Sequence, residues 1–334
     1  GYRLRILEKY ALLAAGAQDF PLSTFRSRYN PASQAVGYGK AMFVFHMMRR
    51  RIGDAAFWVA LRDIYAERLY KRTSWGHFMD AFAEHGGLSR DEVRTFHDQW
   101  VTRPGALQLA MHKTQVVSAA GRSQVEGLLI QKSPRYNVLV PVEVTDHMVS
   151  RRENVYLDDA TATFSIQMQE APRTVAADPD FDVFRLLYPE EIPATVNAVK
   201  GSSALAAVLA EDSPAPWAEI FRGLLMGLNH GGTTVWSENR FAAEDAAGED
   251  VLFFGMPKRE KGRNLLSELG DAAVLSAGAF QVGEDISSSN ADTMFAVFKM
   301  NQRLVAVLLP VEGTDLETVV RTARKITHYA RYGR

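Results

Sequence analysis

The sequence predicts a multidomain α+β protein in which a helical region, an antiparallel β-sandwich and an α/β layer domain follow one another. Residues 1–105 space their apolar side chains as amphipathic helices do. Residues 106–189 carry short, β-branched segments of alternating polarity between turn residues. In residues 190–334, strand-like and helical segments alternate, which favours a largely parallel sheet covered by helices. We therefore expect three domains with these boundaries.

Helices follow one another in the first region, and several have recognisable ends. The apolar residues of YRLRILEKYALL recur at helical spacing. The next helix contains QAVGYGKAMFVFHMM and ends in Arg49, Arg50 and Arg51, with Gly53 just beyond. Cations and glycine are both favourable at a helix C-terminus. Asp54 is expected to cap the helix that follows, AAFWVALRDIYAERLY.

Two further helices complete this region. Thr73 or Ser74 is expected to begin WGHFMDAFAEH, which a pair of glycines ends. Ser89 and Glu92 form a capping-box pattern ahead of VRTFHDQWV, which Pro104 ends. The short connections favour antiparallel packing of the helices.

Strands dominate the middle of the chain and alternate with helices after it. The sandwich strands are expected at ALQLAMHKTQVV, SQVEGLLIQK, YNVLVPVEVTD, ENVYLDD and ATFSIQMQ. In the α/β domain, strands are predicted at VNAVKG, TTVWSE, DVLFFGMP, AAVLSAG, TMFAVFKM and LVAVLLPV. Helices are predicted there at SALAAVLAED, WAEIFRGLLMG, GRNLLSELG and LETVVRTARKITHYARY.

The composition is that of a folded globular chain and excludes several kinds of chemistry. Hydrophobic residues make up 47% of the 334 residues and charged residues 23%. The net charge of -1 gives no reason to expect nucleic acid or an anionic membrane as partner. No apolar run approaches the ~20 residues of a membrane span. Without cysteine there are no disulfides, thiolate metal sites or cysteine nucleophiles.

The histidines do not predict a metal site. No two of the eight stand at i and i+4, and no H-E-x-x-H occurs. His77 and His85 lie two turns apart on one predicted helix, too far to share an ion. His46 lies inside an apolar helix, where a hydrogen-bonded core or helix-contact residue is expected. We therefore expect no metal ligands from this chain.

Two weaker motifs concern serine and phosphate chemistry. No G-x-S-x-G occurs, and GSSA at residues 201–204 is expected to cap the helix that follows it. The stretch VLFFGMPKREKGR places Gly255 and basic residues between a strand and a helix, and a helix N-terminus can hold an anion. The P-loop pattern is not met, because Arg263 and Asn264 stand where Lys and Ser or Thr are needed. An anion site and an ordinary turn both remain open.

The stretch from Tyr38 to Gly105 resembles the aminopeptidase N family of zinc metallopeptidases, which are gluzincins. YGKAMFVFHMMRRRIGDAAFWVALRDIYAERLYKRTSWGHFMDAF is similar to the family's Y-x-K-G helix start, its lG-x-x-x-F joint and the aromatic helix that follows. FHDQWVTRPGALQL is similar to the f-x-x-W-x-x-x-x-G-x-P junction that leaves the helical part of these enzymes. A β-sandwich after this junction is the family's order of domains.

The resemblance implies that the helical region is the tail of a thermolysin-like catalytic domain and that Tyr38 is catalytic. A phenol with a pKa of ~10 remains a proton donor at neutral pH. In the family, zinc-activated water attacks the scissile carbonyl, and the tyrosine stabilises the oxyanion that develops. Lys40 and Arg103 match motif positions that we interpret as structural. Ala41 replaces the family's glycine, and Gly39 fills a position where an acidic residue is common.

The resemblance also implies that most of the zinc site lies elsewhere. The family's H-E-x-x-H and its glutamate ligand precede Y-x-K-G, and would therefore precede residue 1 here. We expect this chain to be the C-terminal fragment of a zinc aminopeptidase-like protein that hydrolyses peptide bonds, itself inactive and zinc-free. Its implied partners are the N-terminal zinc domain and a peptide substrate. The alternative is a non-catalytic binding or scaffolding module of an inactive peptidase homologue.

Overall fold

The computed structural model describes residues 1–119, 122–243, 249–267, 273–276, 279–282, 285–287, 292–300 and 303–329. Its contacts divide the chain into two compact units, Gly1–Tyr188 and Pro189–Arg334. Both units contain helices and sheets, so the chain is a mixed α/β protein, in agreement with the predicted multidomain α+β class. None of the described helices is long and apolar enough to cross a bilayer.

The first half of the first unit is helical. Its helices are α1 (Tyr2–Leu13), α2 (Pro31–Gln34), α3 (Ala41–Ile52), α4 (Asp54–Arg68), α5 (Trp75–Gly86) and α6 (Arg90–His97). Two π-helical turns, Ala35–Lys40 and Asp98–Thr102, join α2 to α3 and extend α6. The helix predicted from residue 34 onwards is therefore divided by a π turn just where Tyr38 lies.

Local capping explains most helix ends. The predicted capping box is confirmed, because the Ser89 hydroxyl accepts from the Glu92 backbone N–H while the Glu92 carboxylate accepts from the Ser89 N–H. Ser74 is the N-cap of α5. The expectation for Asp54 was wrong: Gly53 is the cap, and the Asp54 carboxylate accepts from Arg49 Nε at 2.8 Å instead. An acidic residue in the first turn still favours the helix through its dipole.

The second half of the first unit consists of two antiparallel three-stranded sheets. The strands are β1 (Leu109–Ala119), β2 (Arg122–Gln131), β3 (Val138–Thr145), β4 (Ser150–Leu157), β5 (Thr161–Met168) and β6 (Thr174–Ala177). One sheet has the order β1-β2-β5 and the other β4-β3-β6. The strands expected from alternating polarity are present, and β5 alternates between exposed and buried side chains along its length.

An aromatic core joins the helical half of this unit to its strands. The fully buried Trp100 stacks on Tyr136 with 4.5 Å between ring centroids. Phe184 packs against Tyr10 of α1 at 4.7 Å and against Phe43 of α3 at 5.5 Å. Burial of such large rings supplies much of the hydrophobic stabilisation of a unit of this size.

The second unit is built on a five-stranded sheet. Its elements are α7 (Val196–Lys200), β7 (Leu205–Leu209), α8 (Ala215–Gly227), β8 (Val235–Ser237), α9 (Glu238–Ala243), β9 (Asp250–Phe254), α10 (Glu260–Ser267), β10 (Ala273–Ser276), β11 (Ala279–Val282), β12 (Asp285–Ser287), β13 (Thr293–Met300), β14 (Arg303–Pro310) and α11 (Leu316–Tyr329). The sheet order is β13-β14-β9-β7-β8, in which only β13 is antiparallel to its neighbour. Strands β10, β11 and β12 form a small antiparallel sheet.

Helices cover both faces of the five-stranded sheet. Leu252 and Phe254 of β9 pack in a cluster with residues of α8 and α11, whereas Val251 and Phe253 pack in another with Phe241 of α9. Burial on both faces is typical of parallel strands. The sequence prediction of a largely parallel α/β layer is confirmed for the described residues.

Two element predictions in this unit were wrong. VNAVKG was predicted as a strand but is mainly helix α7, capped by Thr195, whose hydroxyl accepts from the Ala198 backbone N–H. SALAAVLAED was predicted as a helix but contains the central strand β7. A central strand is buried on both faces and shows no alternation, so its alanine-rich run is easily mistaken for a helix.

Candidate functional site: an exposed tyrosine beside a buried lysine

Tyr38 lies on the π-helical turn Ala35–Lys40 and is exposed over 59% of its surface. Its ring contacts Phe25 edge-on, with 5.5 Å between centroids. A π turn inserted into a helix is rare and is frequently found at functional sites. The phenol is therefore accessible to a ligand while its ring rests against one aromatic neighbour.

Two glycines allow the π turn to pack closely against its surroundings. A Cβ on Gly37 would lie 2.1 Å from the ring of Phe25, and one on Gly39 would lie 2.9 Å from Ile6 of α1. Gly39, a departure from the family pattern, thus fills a place where α1 approaches too closely for a side chain. The sequence pattern contained no sign of this contact.

Lys40, two residues after Tyr38, is fully buried. Its ammonium donates to the backbone carbonyls of Arg103 and Gly105, both at 3.0 Å, and lies 5.5 Å from the ring centre of Phe184. Burial lowers the pKa of Lys40 to about 8, against the opposing attraction of Asp19. This side chain ties the π turn to the junction after α6, so the two stretches that carry the family resemblance meet at Lys40.

Asp19 completes this buried polar cluster and had no signal in the sequence. Its carboxylate accepts from the Tyr10 hydroxyl at 2.8 Å, from the Phe20 backbone N–H at 2.9 Å, and from the Gly105 backbone N–H. Burial, together with the nearby Asp19 charge, raises the pKa of Tyr10, which remains a hydrogen-bond donor. A carboxylate with three donors holds the junction in one conformation.

Arg103 also has a structural contact, as the sequence suggested. Its guanidinium lies 4.1 Å from the ring centre of Tyr136 and donates to the Arg135 carbonyl at 2.8 Å. Burial raises the pKa of Tyr136, although the neighbouring Arg103 opposes that rise. The cluster as a whole fixes the backbone beneath Tyr38 but contains no second accessible reactive group.

His46 is hydrogen-bonded within the fold, as expected. Its Nε2 lies 2.8 Å from Asp182 Oδ1. Burial would raise the pKa of Asp182, but the bond to His46 and the charges of Arg50 and Arg3 outweigh burial and lower it. His77 and His85 bind Ser74 and Asp63 respectively and do not share a ligand position. Within the described ranges, no three His, Cys, Asp or Glu side chains form a group that could hold a metal ion.

The possible anion site after β9 is filled by the protein itself. The fully buried Glu238 carboxylate accepts from the backbone N–H groups of Lys258 at 2.8 Å and Arg259 at 2.7 Å. Lys258 Nζ binds Asp212 at 3.0 Å, and the Arg259 guanidinium binds both carboxylate oxygens of Glu211. The donors of Lys258 and Arg259 are therefore occupied, which favours the ordinary-turn interpretation.

The serines of GSSA do not cap a helix, contrary to expectation. Ser202 Oγ donates to Asp250 Oδ2 at 2.6 Å, and the segment leads into strand β7. These contacts tie the starts of two neighbouring strands together. They give Ser202 a structural partner rather than a general base for nucleophilic chemistry.

Comparison with known proteins assigns no family. No protein-family model and no curated protein matches this chain. A solved structure, the crystal structure of Legionella pneumophila aminopeptidase A in complex with aspartic acid, is similar over 52% of this chain at 15% identity, with a TM-score of 0.39. The match spans only 19% of that protein's own chain. A similarity of this strength assigns neither a fold nor an activity to the chain.

Proposed function

We propose that this chain is the C-terminal part of a zinc aminopeptidase-like metallopeptidase that hydrolyses peptide bonds, and that its first half is the tail of a thermolysin-like catalytic domain. The observation that carries the proposal is the pairing of an exposed Tyr38 with a fully buried Lys40 on one π turn. The motif resemblance from Tyr38 to Gly105 supports the same interpretation. Lys40 binds the Arg103 and Gly105 carbonyls, so both halves of that resemblance form one local structure.

The chemical role proposed for Tyr38 is donation of its O–H to the oxyanion of the tetrahedral intermediate. A donor whose backbone is already held costs little reorganisation when charge develops on the carbonyl oxygen. The buried Lys40 and the close contacts of Gly37 and Gly39 supply that fixed backbone. Removal of one donor from an oxyanion site typically lowers kcat by about 10²–10³-fold.

The zinc implied by this proposal does not fit the residues in hand. The described part of the chain offers no group of three metal-ligating side chains. In the proposal the ligands and the general base come from polypeptide outside this sequence. The 334-residue chain alone is expected to be inactive.

The test is the substitution Tyr38→Phe in the full-length protein, assayed on amino-acid 4-nitroanilides. We expect kcat to fall by about 10²–10³-fold with a small change in KM, because the donor acts mainly in the transition state. Tyr29→Phe is the matched control, since Tyr29 is also an exposed tyrosine in the same unit. An unchanged kcat in Tyr38→Phe would remove the catalytic assignment.

The second candidate is a non-catalytic binding or scaffolding module. A cavity with arginine donors in the first unit, described below, favours this candidate independently of Tyr38. The coding sequence upstream of residue 1 separates the two functions. H-E-x-x-H followed by a glutamate supports the peptidase, whereas an upstream sequence without that motif supports the binding module.

A further inference from the structure

A cavity of about 330 Å³ lies within the first unit, where the last turn of α3 meets α6 and the strands β3 and β4. Its apolar lining includes Phe96 and the fully buried Trp100. Leu139 and Tyr156, each exposed over nearly half of its surface, line it from the two strands. The volume is at the lower end of the range for small-molecule sites, and aromatic walls are typical of such sites.

Two consecutive arginines supply the charge of this cavity. Arg50 Nη1 lies 3.1 Å from Asp182 Oδ2, and Arg51 Nη2 lies 2.8 Å from Glu92 Oε1. A guanidinium has five N–H donors, so a single ion pair leaves most of them uncommitted. Over the ranges that the structure describes, neither arginine has another acceptor within hydrogen-bonding distance.

The two carboxylates of the cavity, by contrast, are already paired with cations. Glu92 Oε2 accepts from the backbone N–H and the hydroxyl of Ser89. Asp182 Oδ1 pairs with His46 and Arg3, whereas Asp182 Oδ2 lies 3.1 Å from Arg50 Nη1 without forming a hydrogen bond. Asn137 and Asn154 add neutral amides to the lining, and the charged groups that keep uncommitted donors are the two arginines, which favours an anionic ligand over a cationic one.

We propose that this cavity binds a small monocarboxylate with an aromatic or branched aliphatic body. The free edges of Arg50 and Arg51 match the planar geometry of a carboxylate, and Phe96, Trp100 and Tyr156 accept the apolar body. A monoanion is expected rather than a polyanion, because the two arginines are balanced in charge by Asp182 and Glu92. The proposal does not depend on Tyr38 or on peptidase activity.

Arg49 provides an internal control for the two cavity arginines. It precedes them on the same helix, yet its guanidinium binds both carboxylate oxygens of Asp54 and lies 5.5 Å from the ring centre of Trp58. It is not part of the cavity lining. Arg49→Gln removes the same charge from the same helix end while leaving the cavity intact.

The experiment is calorimetric titration of the 334-residue chain with 3-phenylpropionate, using 3-phenylpropionamide as the neutral probe of matched shape. We expect saturable binding in the millimolar range and at least about tenfold weaker binding of the amide, because it lacks the charge-assisted bonds. Arg51→Gln should weaken binding of the acid by about tenfold, and Arg49→Gln by less than about twofold. Tyr156→Ala, at a half-exposed position, should weaken binding of acid and amide alike.

Several results would overturn the proposal. Equal binding of acid and amide would show that the arginines do not recognise a carboxylate. Equal weakening by Arg49→Gln and Arg51→Gln would show unspecific attraction to a basic helix end. Absence of saturable binding at millimolar concentration would contradict the site altogether. A dimer of the chain that Tyr156→Ala dissociates would also contradict it, because the Tyr156 surface would then be an interface between two copies. Circular dichroism and the Tm of each variant verify that it is folded.

Discussion

The turn around Tyr38 in the first unit and the loop after β9 in the second both resembled functional motifs in the sequence, but they use their charged groups in opposite ways. In the first, the cation of Lys40 is buried and donates to backbone carbonyls, and the phenol of Tyr38 on the same turn is exposed. In the second, the carboxylate of Glu238 is buried and accepts from backbone N–H groups, and the cations of Lys258 and Arg259 are paired with acidic side chains.

This difference indicates what separates a candidate site from a structural turn. A buried charge that is satisfied by backbone groups fixes a loop, and it does so in both regions. In the first region the exposed side chain is that of Tyr38, whereas the exposed Lys258 and Arg259 of the second region are paired with Asp212 and Glu211. In the loop after β9 the donors of Lys258 and Arg259 bind acidic side chains of the same unit. The motif-like sequence there therefore stabilises the fold rather than binding a ligand.

The largest expected effect on stability is that of Lys40→Met. The substitution keeps an unbranched side chain but leaves the carbonyls of Arg103 and Gly105 without their buried donor. We expect the free energy of unfolding to fall by about 3 kcal/mol, as buried unsatisfied groups cost ~1–3 kcal/mol each. Urea denaturation measures this change.

Lys71→Met is the matched control for Lys40→Met. Lys71 is exposed and donates to the Glu67 carbonyl at 2.8 Å. Surface substitutions of this kind change stability by no more than about 0.5 kcal/mol. A loss in Lys40→Met as small as that of the control would contradict the anchoring role of Lys40.

The corresponding substitution in the other region is Glu238→Gln. An amide has one acceptor oxygen, so it cannot satisfy the N–H groups of Glu211, Lys258 and Arg259 that the two carboxylate oxygens now accept from. We expect a loss of about 2 kcal/mol in the free energy of unfolding. The comparison variant is Glu219→Gln on the exposed face of α8, for which no measurable loss is expected. A Glu238→Gln protein that gained phosphate affinity without losing stability would show that this loop is an anion site after all.

The buried ammonium of Lys40 also predicts a pH dependence. The pKa of Lys40 is about 8 in the folded protein, because burial lowers it from the ordinary lysine value of 10.5. Between these two pH values the unfolded chain binds more protons than the folded one, so stability should rise with pH through this window. Lys40→Met should lack this rise, which the difference between the two unfolding curves at pH 8 and pH 10 measures. A parallel pH dependence in both proteins would show that Lys40 is not desolvated in solution.

The sequence predicted those features that depend on local contacts. The capping box of Ser89 and Glu92 spans three residues, and the alternation along β5 needs only one buried face. Central strand β7 escaped prediction because its burial on both faces depends on neighbouring strands that are distant in the sequence. The hydrophobic periodicity of a segment does not predict its secondary structure where burial is set by tertiary packing.

The candidate site divides in the same way. Tyr38 and Lys40 were singled out by a motif, and the structure adds that one is exposed and the other buried. Asp19, which binds Gly105 across 86 positions, could not be predicted because no local pattern marks it. Arg50 and Arg51 were interpreted only as cations that are favourable at a helix C-terminus. Their part in a cavity depends on strands β3 and β4, far along the chain.

The smallest expected effect on stability is that of Tyr38→Phe. Because more than half of the Tyr38 surface is exposed and its ring contact with Phe25 survives the substitution, the free energy of unfolding should change by less than about 0.5 kcal/mol. Urea denaturation beside Lys40→Met tests this directly. A loss above about 1 kcal/mol would mean that the hydroxyl serves the fold. If Tyr38→Phe leaves stability unchanged but greatly lowers kcat in the full-length protein, the two residues of the motif have different roles. Lys40 would then fix the turn, and Tyr38 would act in the reaction.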